Sequence, residues 1–388
     1  MGTYSDLKLG KFVVEQSGNF STSTHQSIFL PKHSTFVRRE GREDEDPVEI
    51  FQAPLRDLVT RLELMGSTLP AIERRFSNPW VTYDEPHDIS FGETLDLVRN
   101  ADLSLIPDWE GDDDNFGILP QHYYGHLIEK VGVHFLASPA WDLTALLERL
   151  SAEDMLRVLA ERPENLDLMV VWDFMDIVES GYFERKDFSV GCGNQSFLLV
   201  TEGTSDTEII RHAFDILRPD IKDFFRYVDM ESNYPFGGHG NLQNFMRGLS
   251  SIQKTDGVLA IFDNDAAGVG SLAALSKLRD VNAVKLPDLE EFRSFPTIGP
   301  TGEHRADING RAAAIECYLK LANGCRIRWT NFDDKAGEYQ GAIDQRGSEK
   351  SRQRDEFVRT TASDDYPFDK IEKVLDVIVD ACIRSNCT

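Results

Sequence analysis

Apolar and polar positions change rhythm twice along this chain. From the start to about residue 190, short alternating pieces come first, as in Lys11-Phe12-Val13-Val14 and Ser27-Ile28-Phe29-Leu30. Amphipathic stretches follow at Pro54–Met65, Phe91–Val98, Trp141–Leu150 and Ala152–Ala160, with apolar residues at i, i+3 and i+4, the spacing of one helix face. From residue 191 to about 290 the pattern becomes regular. Strand-like Ser196–Val200, Phe225–Val228, Val258–Phe262 and Ala283–Leu286 alternate with helix-like Thr207–Leu217, Asn241–Leu249 and Ser271–Leu278. Strands alternating with helices of about ten residues predict a parallel sheet wrapped by helices. After Pro287 the chain carries loops, a predicted helix over Arg311–Leu321 and a terminal helix over Asp369–Ile383. The predicted fold class is therefore α/β, with three regions: a mixed α+β N-terminal domain at 1–190, the α/β core at 191–290, and a C-terminal extension at 291–388.

Two strand ends in the core carry the chemistry. Phe197-Leu198-Leu199-Val200-Thr201 runs into Glu202-Gly203-Thr204-Ser205-Asp206, and Val258-Leu259-Ala260-Ile261-Phe262 runs into Asp263-Asn264-Asp265-Ala266-Ala267-Gly268. In an open α/β sheet, ligands gather at the carboxyl ends of the strands. Gly203 permits a tight turn there, and Asp206 is placed to cap the helix that follows. Asp263 and Asp265, two apart, project to the same side of an extended backbone. Two carboxylates so placed repel unless a hard cation neutralises them, and magnesium prefers oxygen ligands of this kind.

Charge changes this picture by its location. The chain holds 41 Lys and Arg against 66 Asp and Glu, a net charge of −25. Residues 1–190 hold 17 basic against 35 acidic side chains, whereas 291–360 hold 12 against 11. The stretch after the strand-end acids is thus neutral and arginine-rich, and a phosphate backbone could be met there. Arg211, Arg247, Arg305, Arg311, Arg326, Arg328 and Lys335 are the candidates, each equally readable as a solvated or ion-paired side chain. Trp329, Phe332 and Tyr339 interleave with them and could stack on bases or simply pack in a core. The acidic run Asp108–Asp114 reads as a solvated loop. Five scattered cysteines form no C-x-x-C pair, which argues against a zinc module or a disulfide framework. No stretch approaches the roughly 20 apolar residues of a membrane helix, and the expected setting is cytoplasmic.

A Glu-Gly-x-x-Asp strand end followed by a strand ending Asp-x-Asp-x-x-Gly resembles the Toprim domain of topoisomerases, DnaG-type primases and overcoming-lysogenization-defect (OLD) nucleases. Gly237-Gly238-His239-Gly240-Asn241 is similar to the glycine-rich turn that opens the second helix of that fold. The resemblance implies Glu202 as general acid/base or metal ligand, and Asp263 and Asp265 as ligands of Mg²⁺, or of Mn²⁺ in its place. Asp206 would join this catalytic set. Its nuclease branch often adds an acid from a later helix: Glu316, equally readable as a solvated helix-face acid, and less favourably Asp307. Met1–Leu7 and Arg61–Gly66 also resemble the N-terminal domain that accompanies HEPN or Toprim modules in bacterial conflict systems.

These resemblances imply a Mg²⁺-dependent endonuclease acting on DNA or RNA, in prokaryotic defence against phage or plasmids. A DnaG-type primase would bring a zinc module, and the cysteine spacing excludes it. No G-x-x-x-x-G-K-[ST] loop is present, so control by ATP would need a separate ATPase or sensor partner. None of the nine histidines follows an arginine at the spacing of a HEPN ribonuclease. The competing expectation is a Toprim-like binding or sensor subunit that does not cut. Homo-oligomerisation is compatible with either.

Overall fold

The computed structural model describes residues 3–18, 22–39, 46–76, 90–100, 102–105, 147, 150–191, 197–228, 238–300, 302–333, 338–344 and 349–386. Lys335, Gly237, the Asp108–Asp114 run and most of Trp141–Leu150 lie outside these residues. The chain divides into two compact units, 1–194 and 195–386.

The first unit is built on five antiparallel strands: β1 (Tyr4–Leu9), β2 (Phe12–Gly18), β3 (Ser34–Val37), β4 (Val48–Pro54) and β5 (Met169–Asp173), in the order β2-β1-β5-β4-β3. The last strand in sequence is thus the central one. Its Trp172 is buried against Phe29, Phe51, Phe174 and Phe188, and its indole N–H donates to Ser5 Oγ at 3.0 Å. Helices α1 (Leu55–Leu64), α2 (Leu69–Phe76), α3 (Phe91–Arg99), α4 (Ala152–Leu159) and α5 (Met175–Glu179) complete the unit, and α1 packs on α4. The alternation at Ser27–Leu30 does not make a strand. Buried Arg61 of α1 donates to the carbonyls of Ser27 (2.7 Å) and Ile28 (3.0 Å), and those acceptors are then lost to any sheet ladder.

The second unit holds the predicted parallel sheet. Its strands β6 (Phe197–Val200), β7 (Phe225–Tyr227), β8 (Val258–Phe262) and β10 (Asn282–Lys285) lie in the order β10-β8-β6-β7, all parallel. Every residue of β8 is buried, as expected of a central parallel strand covered on both faces. Helices α6 (Thr204–Leu217), α7 (His239–Ser251) and α8 (Ala266–Leu275) connect the strands. Val258, Ala260 and Phe262 alternate along β8 and share a core with Leu242 and Met246 of α7 and Leu275 of α8. After α9 (Glu349–Phe357), the terminal helix α10 (Asp369–Ser385) packs on α6, β8 and β10.

Short β9 (Asn264–Asp265) lies between β8 and α8, and after the parallel sheet comes a second sheet of β11 (Phe295–Gly299), β12 (Gly302–Ala306), β14 (Ile327–Asp333) and β15 (Glu338–Ile343), in the order β12-β11-β14-β15. β13 (Ala312–Ala313) pairs antiparallel with β9. The helix expected over Arg311–Leu321 does not form. Gly310 turns at a φ of 68°, Ala312 and Ala313 pair with Asp265 and Asn264, and Ile315–Tyr318 closes as a single 3₁₀ turn. Long-range pairing here overrides the local helical preference of an alanine-rich segment.

Candidate active site

Strand order decides where the acids meet. From β6 the chain crosses to β7 on one side, then returns past β6 to β8 on the other. The crevice between β6 and β8 is therefore the switch point of the sheet, the place where open α/β sheets take their ligands. Leu198, Leu199 and Val200 stand opposite Val258, Leu259 and Ala260, so β8 runs two residues past the end of β6. Asp263 follows β8 directly, and Glu202 follows β6 after Thr201.

The two ends are bonded to each other. The Asp263 N–H donates to Glu202 Oε1 at 3.1 Å, and the Gly238 N–H donates to the Glu202 carbonyl at 2.9 Å. Gly238 caps α7 at a φ of 90°, a conformation that favours glycine. The N–H of His239 also reaches the Glu202 carboxylate. Asp265 caps α8 by accepting from the Gly268 N–H at 2.7 Å. Asp206 does not cap α6; Gly203 holds that position, and Asp206 lies in the first turn, where a negative charge still complements the helix dipole. The first turns of α6, α7 and α8 thus all adjoin the acids, and their partial positive charge offsets part of the repulsion.

Electrostatics show how strongly the acids crowd. Burial, then the charge of Asp265 and that of Asp206, push the Glu202 carboxyl up to about 7, against the bonds from Asp263 and His239. Burial raises Asp263 well above the usual carboxylate range, and Asp206, Glu202, Asp265 and Glu316 each add to that rise. Five of the six acids singled out from the sequence, Glu202, Asp206, Asp263, Asp265 and Glu316, therefore share one electrostatic site. Glu316 is not a solvated helix-face acid: it sits in the 3₁₀ turn and is only 2% exposed. The same turn is fastened to the site by the Ile315 N–H, which donates to Asp263 Oδ1 at 3.0 Å. Asp307 accepts from the backbone N–H and the side-chain amide of Asn309, which makes it a turn-forming acid. Among the described residues, no three His, Cys, Asp or Glu side chains are gathered tightly enough to enclose an ion.

The basic candidates are distributed differently. Arg311 adjoins the acids through a backbone bridge to Asp265. Arg211, on α6, lies 5.0 Å from the ring centre of Tyr227, and Arg247 is exposed on α7. Arg305 is bonded to the side chain and carbonyl of Ser294. Arg326, just before β14, and Arg328, on it, both donate to Asp344, at 3.0 and 2.7 Å, and Arg326 also binds Glu303. Phe332 and Tyr339 face each other across the β14–β15 pairing and are 49% and 52% exposed, so they are not core residues. His239 is exposed, while His212 is bonded to the Thr360 carbonyl and packs on Phe357.

Residues 1–196 match the family model of the HEPN/Toprim N-terminal domain 1. The chain belongs to that family. No curated protein and no solved structure matches the chain. The HEPN/Toprim N-terminal domain 1 covers the first compact unit, and the five acids lie in the second, beyond its reach. Membership hints at a nuclease-related function. No helix among the described residues is long and apolar enough to cross a membrane.

Sequence reasoning misses what lies behind the acids. Asn264 reads only as the spacer of Asp-x-Asp, yet it is fully buried. Lys285, Tyr318 and the 307–310 turn converge on it. Strand alternation is the available signal, because it sends the residue between two outward acids inward.

Proposed function

We propose that the second unit is a Toprim nuclease domain that hydrolyses phosphodiester bonds of DNA or RNA with Mg²⁺, or Mn²⁺ in its place. The observation that supports this most is the pairing of β6 with β8 at the sheet's switch point, with Glu202 and the Asp263/Asp265 pair at their adjoining ends.

The donor set fits a magnesium ion. Two of the acids, Glu202 and Asp263, are raised in proton affinity by burial and by the charges around them, so the site is in want of positive charge. Magnesium usually takes one or two carboxylates and completes its shell with water and substrate phosphate. Asp263 and Asp265 would hold the ion, with Glu202 and Glu316 as further ligands. When bound, the ion would neutralise charge on the attacking and leaving oxygens of the phosphodiester.

The chain's own groups supply the rest. Glu202, with its proton affinity near neutrality, is suited to take the proton of a water attacking phosphorus. The backbone donors of Asp263 and His239 hold that carboxylate in place. Asp206 adds its charge to that felt by Glu202 and Asp263, and Arg311, whose backbone bridges to Asp265, would meet the phosphate. The cytoplasmic role in defence, and control by a separate ATPase or sensor partner or by self-association, are extensions of this reading from the family.

The test is incubation with plasmid, single-stranded DNA and total RNA, with Mg²⁺ or Mn²⁺ and with EDTA, beside Asp263→Asn/Asp265→Asn. Cleavage that requires both metal and the aspartates supports the reading. Metal-dependent cleavage that survives the double substitution overturns the site, and nucleic-acid binding without cleavage favours a sensor subunit.

A further inference from the structure

Asn264 separates the two aspartates of the acid site, and its side chain takes the opposite direction. It is fully buried. Its Oδ1 accepts from the Gly310 N–H at 2.8 Å and from Lys285 Nζ at 3.0 Å. Its Nδ2 donates toward Asp288 Oδ1 (2.9 Å), the Pro287 carbonyl (3.2 Å), Tyr318 Oη (3.3 Å) and Asn309 Oδ1 (3.5 Å). The orientation of the amide follows from chemistry. A backbone N–H and an ammonium can only donate, so both must face the oxygen, and a carbonyl can only accept, so it must face the nitrogen.

The partners come from three separate parts of the chain. Lys285, Pro287 and Asp288 lie at the end of β10 and just beyond it. Asn309 and Gly310 form the turn before β13. Tyr318 ends the 3₁₀ turn that carries Glu316, and its hydroxyl donates to the Pro287 carbonyl at 2.6 Å. Asn309 is itself fixed, since its amide bonds the Leu289 N–H and carbonyl, each at 3.0 Å. One buried amide thus ties together the neighbouring strand end, the turn before β13 and the segment that carries Glu316.

We infer that Asn264 is the positioning residue of this site, holding Asp263, Asp265 and Glu316 in register for a divalent cation from behind the strand. The inference rests on the metal-dependent reading above and assigns Asn264 no contact with metal or substrate. The physical need is clear. Asp263 is crowded by four other carboxylates, and a two-residue strand such as β9 has little ladder of its own to resist their repulsion. An amide with both acceptor sites and both donor hydrogens engaged supplies that resistance without adding charge. Groups that orient ligands from behind in this way typically affect metal affinity by about ten- to a hundredfold.

The experiment is Mn²⁺ titration of the full chain by electron paramagnetic resonance, with thermal unfolding in EDTA as a control of folding. Asn264→Ala is expected to fold, to bind Mn²⁺ about ten- to a hundredfold more weakly, and to show an altered bound-ion spectrum. Tyr318→Phe, which keeps the ring and removes only the hydroxyl, should weaken binding about two- to tenfold. A purely structural role would lower the unfolding midpoint and leave affinity and spectrum at wild-type values, and that result overturns the inference. Should Asn264→Ala fail to fold, Tyr318→Phe decides, and wild-type affinity in that variant overturns it as well. A wild type that binds no Mn²⁺, or binds it equally after Asp263→Asn/Asp265→Asn, overturns the metal reading and this inference with it.

Discussion

The backbone N–H of Asp263 donates to the carboxylate of Glu202 across 3.1 Å, joining two strand ends 61 residues apart. That bond is made at a cost in charge. Glu202 ionises only near neutrality, because burial and the charges of Asp265 and Asp206 outweigh the donors that reach it.

A pH dependence follows for the metal-free protein. An acid with a folded-state pKa above its unfolded value binds more protons when folded, so stability falls as pH rises between the two values. For Glu202 the window runs from about 4.5 to about 7. A tenfold change in proton affinity corresponds to about 1.4 kcal/mol, so Glu202→Gln should stabilise the protein by about 1–3 kcal/mol at pH 8 in EDTA. Urea unfolding of both proteins at pH 4.5 and pH 8 checks this. The expected result is a gap that opens only at the higher pH.

Magnesium should reverse the same penalty. A ligand present at about a hundred times its dissociation constant stabilises the folded state by about 2.7 kcal/mol. Wild type at pH 8 should therefore melt higher with Mg²⁺ than with EDTA. Asp263→Asn, which keeps an oxygen to accept from the Ile315 N–H, should melt higher than wild type in EDTA and gain little from Mg²⁺. Thermal scans of the four combinations are the measurement.

Gly268 and Gly270 lie two residues apart on α8 and should respond in opposite directions. A Cβ on Gly268 would fall on the Asp263 carbonyl oxygen, which is backbone and cannot swing aside, whereas one on Gly270 meets nothing within 4 Å. Gly268→Ala should destabilise by about 3 kcal/mol, as overpacking against a rigid neighbour does, and should displace Asp263. Gly270→Ala should stabilise by up to about 1 kcal/mol through helix propensity alone. Chemical denaturation of the two variants compares them directly.

The readable parts of this fold are those fixed by neighbouring residues. β6 and β8 are apolar runs ending in acids, and the helices between them are periodic. The parts misread or missed depend on distant partners. Arg311–Leu321 has a helix-like composition, but Ala312 and Ala313 are claimed by Asp265 and Asn264 some 50 residues away. Ser27–Leu30 alternates like a strand, yet Arg61 takes its carbonyls. Asn264 stands in sequence as a spacer because its partners lie 21 to 54 residues further on. Arg326 and Arg328 look available to phosphate until Asp344, near in space across β14 and β15, accounts for both.

His33 gives a second, independent pH dependence, in the first unit. Burial, then Lys32 and Arg61, lower its pKa to about 4, and its Nδ1 accepts from the Leu30 N–H at 3.1 Å, which requires that nitrogen to be unprotonated. Between pH 6.5 and 4 the unfolded chain binds the extra proton, so stability falls as pH drops through that window. The side chain is only half buried, and solvent screening brings the expected contribution to about 1 kcal/mol. His33→Asn, whose Oδ1 can take the same hydrogen bond, should remove that part of the acid sensitivity. Unfolding midpoints of wild type and variant at pH 7 and pH 4.5 give the comparison.

Asp344 offers a test of whether Arg326 and Arg328 face nucleic acid. It is the shared acceptor of the Arg326 and Arg328 side chains, so both guanidiniums are partly neutralised where they stand. If that surface meets a phosphate backbone, Asp344→Asn, which keeps the shape and removes the charge, should tighten binding of a DNA or RNA duplex. Each added phosphate contact steepens the dependence of log affinity on log salt by about 0.9 for double-stranded DNA, so the slope should grow by about one to two such steps. Affinity at about 0.1 M salt should rise by about three- to tenfold. Fluorescence anisotropy across a salt series reads both quantities. An unchanged slope would remove Arg326 and Arg328 from the interface and leave Arg311, beside Asp265, as the basic side chain to examine next.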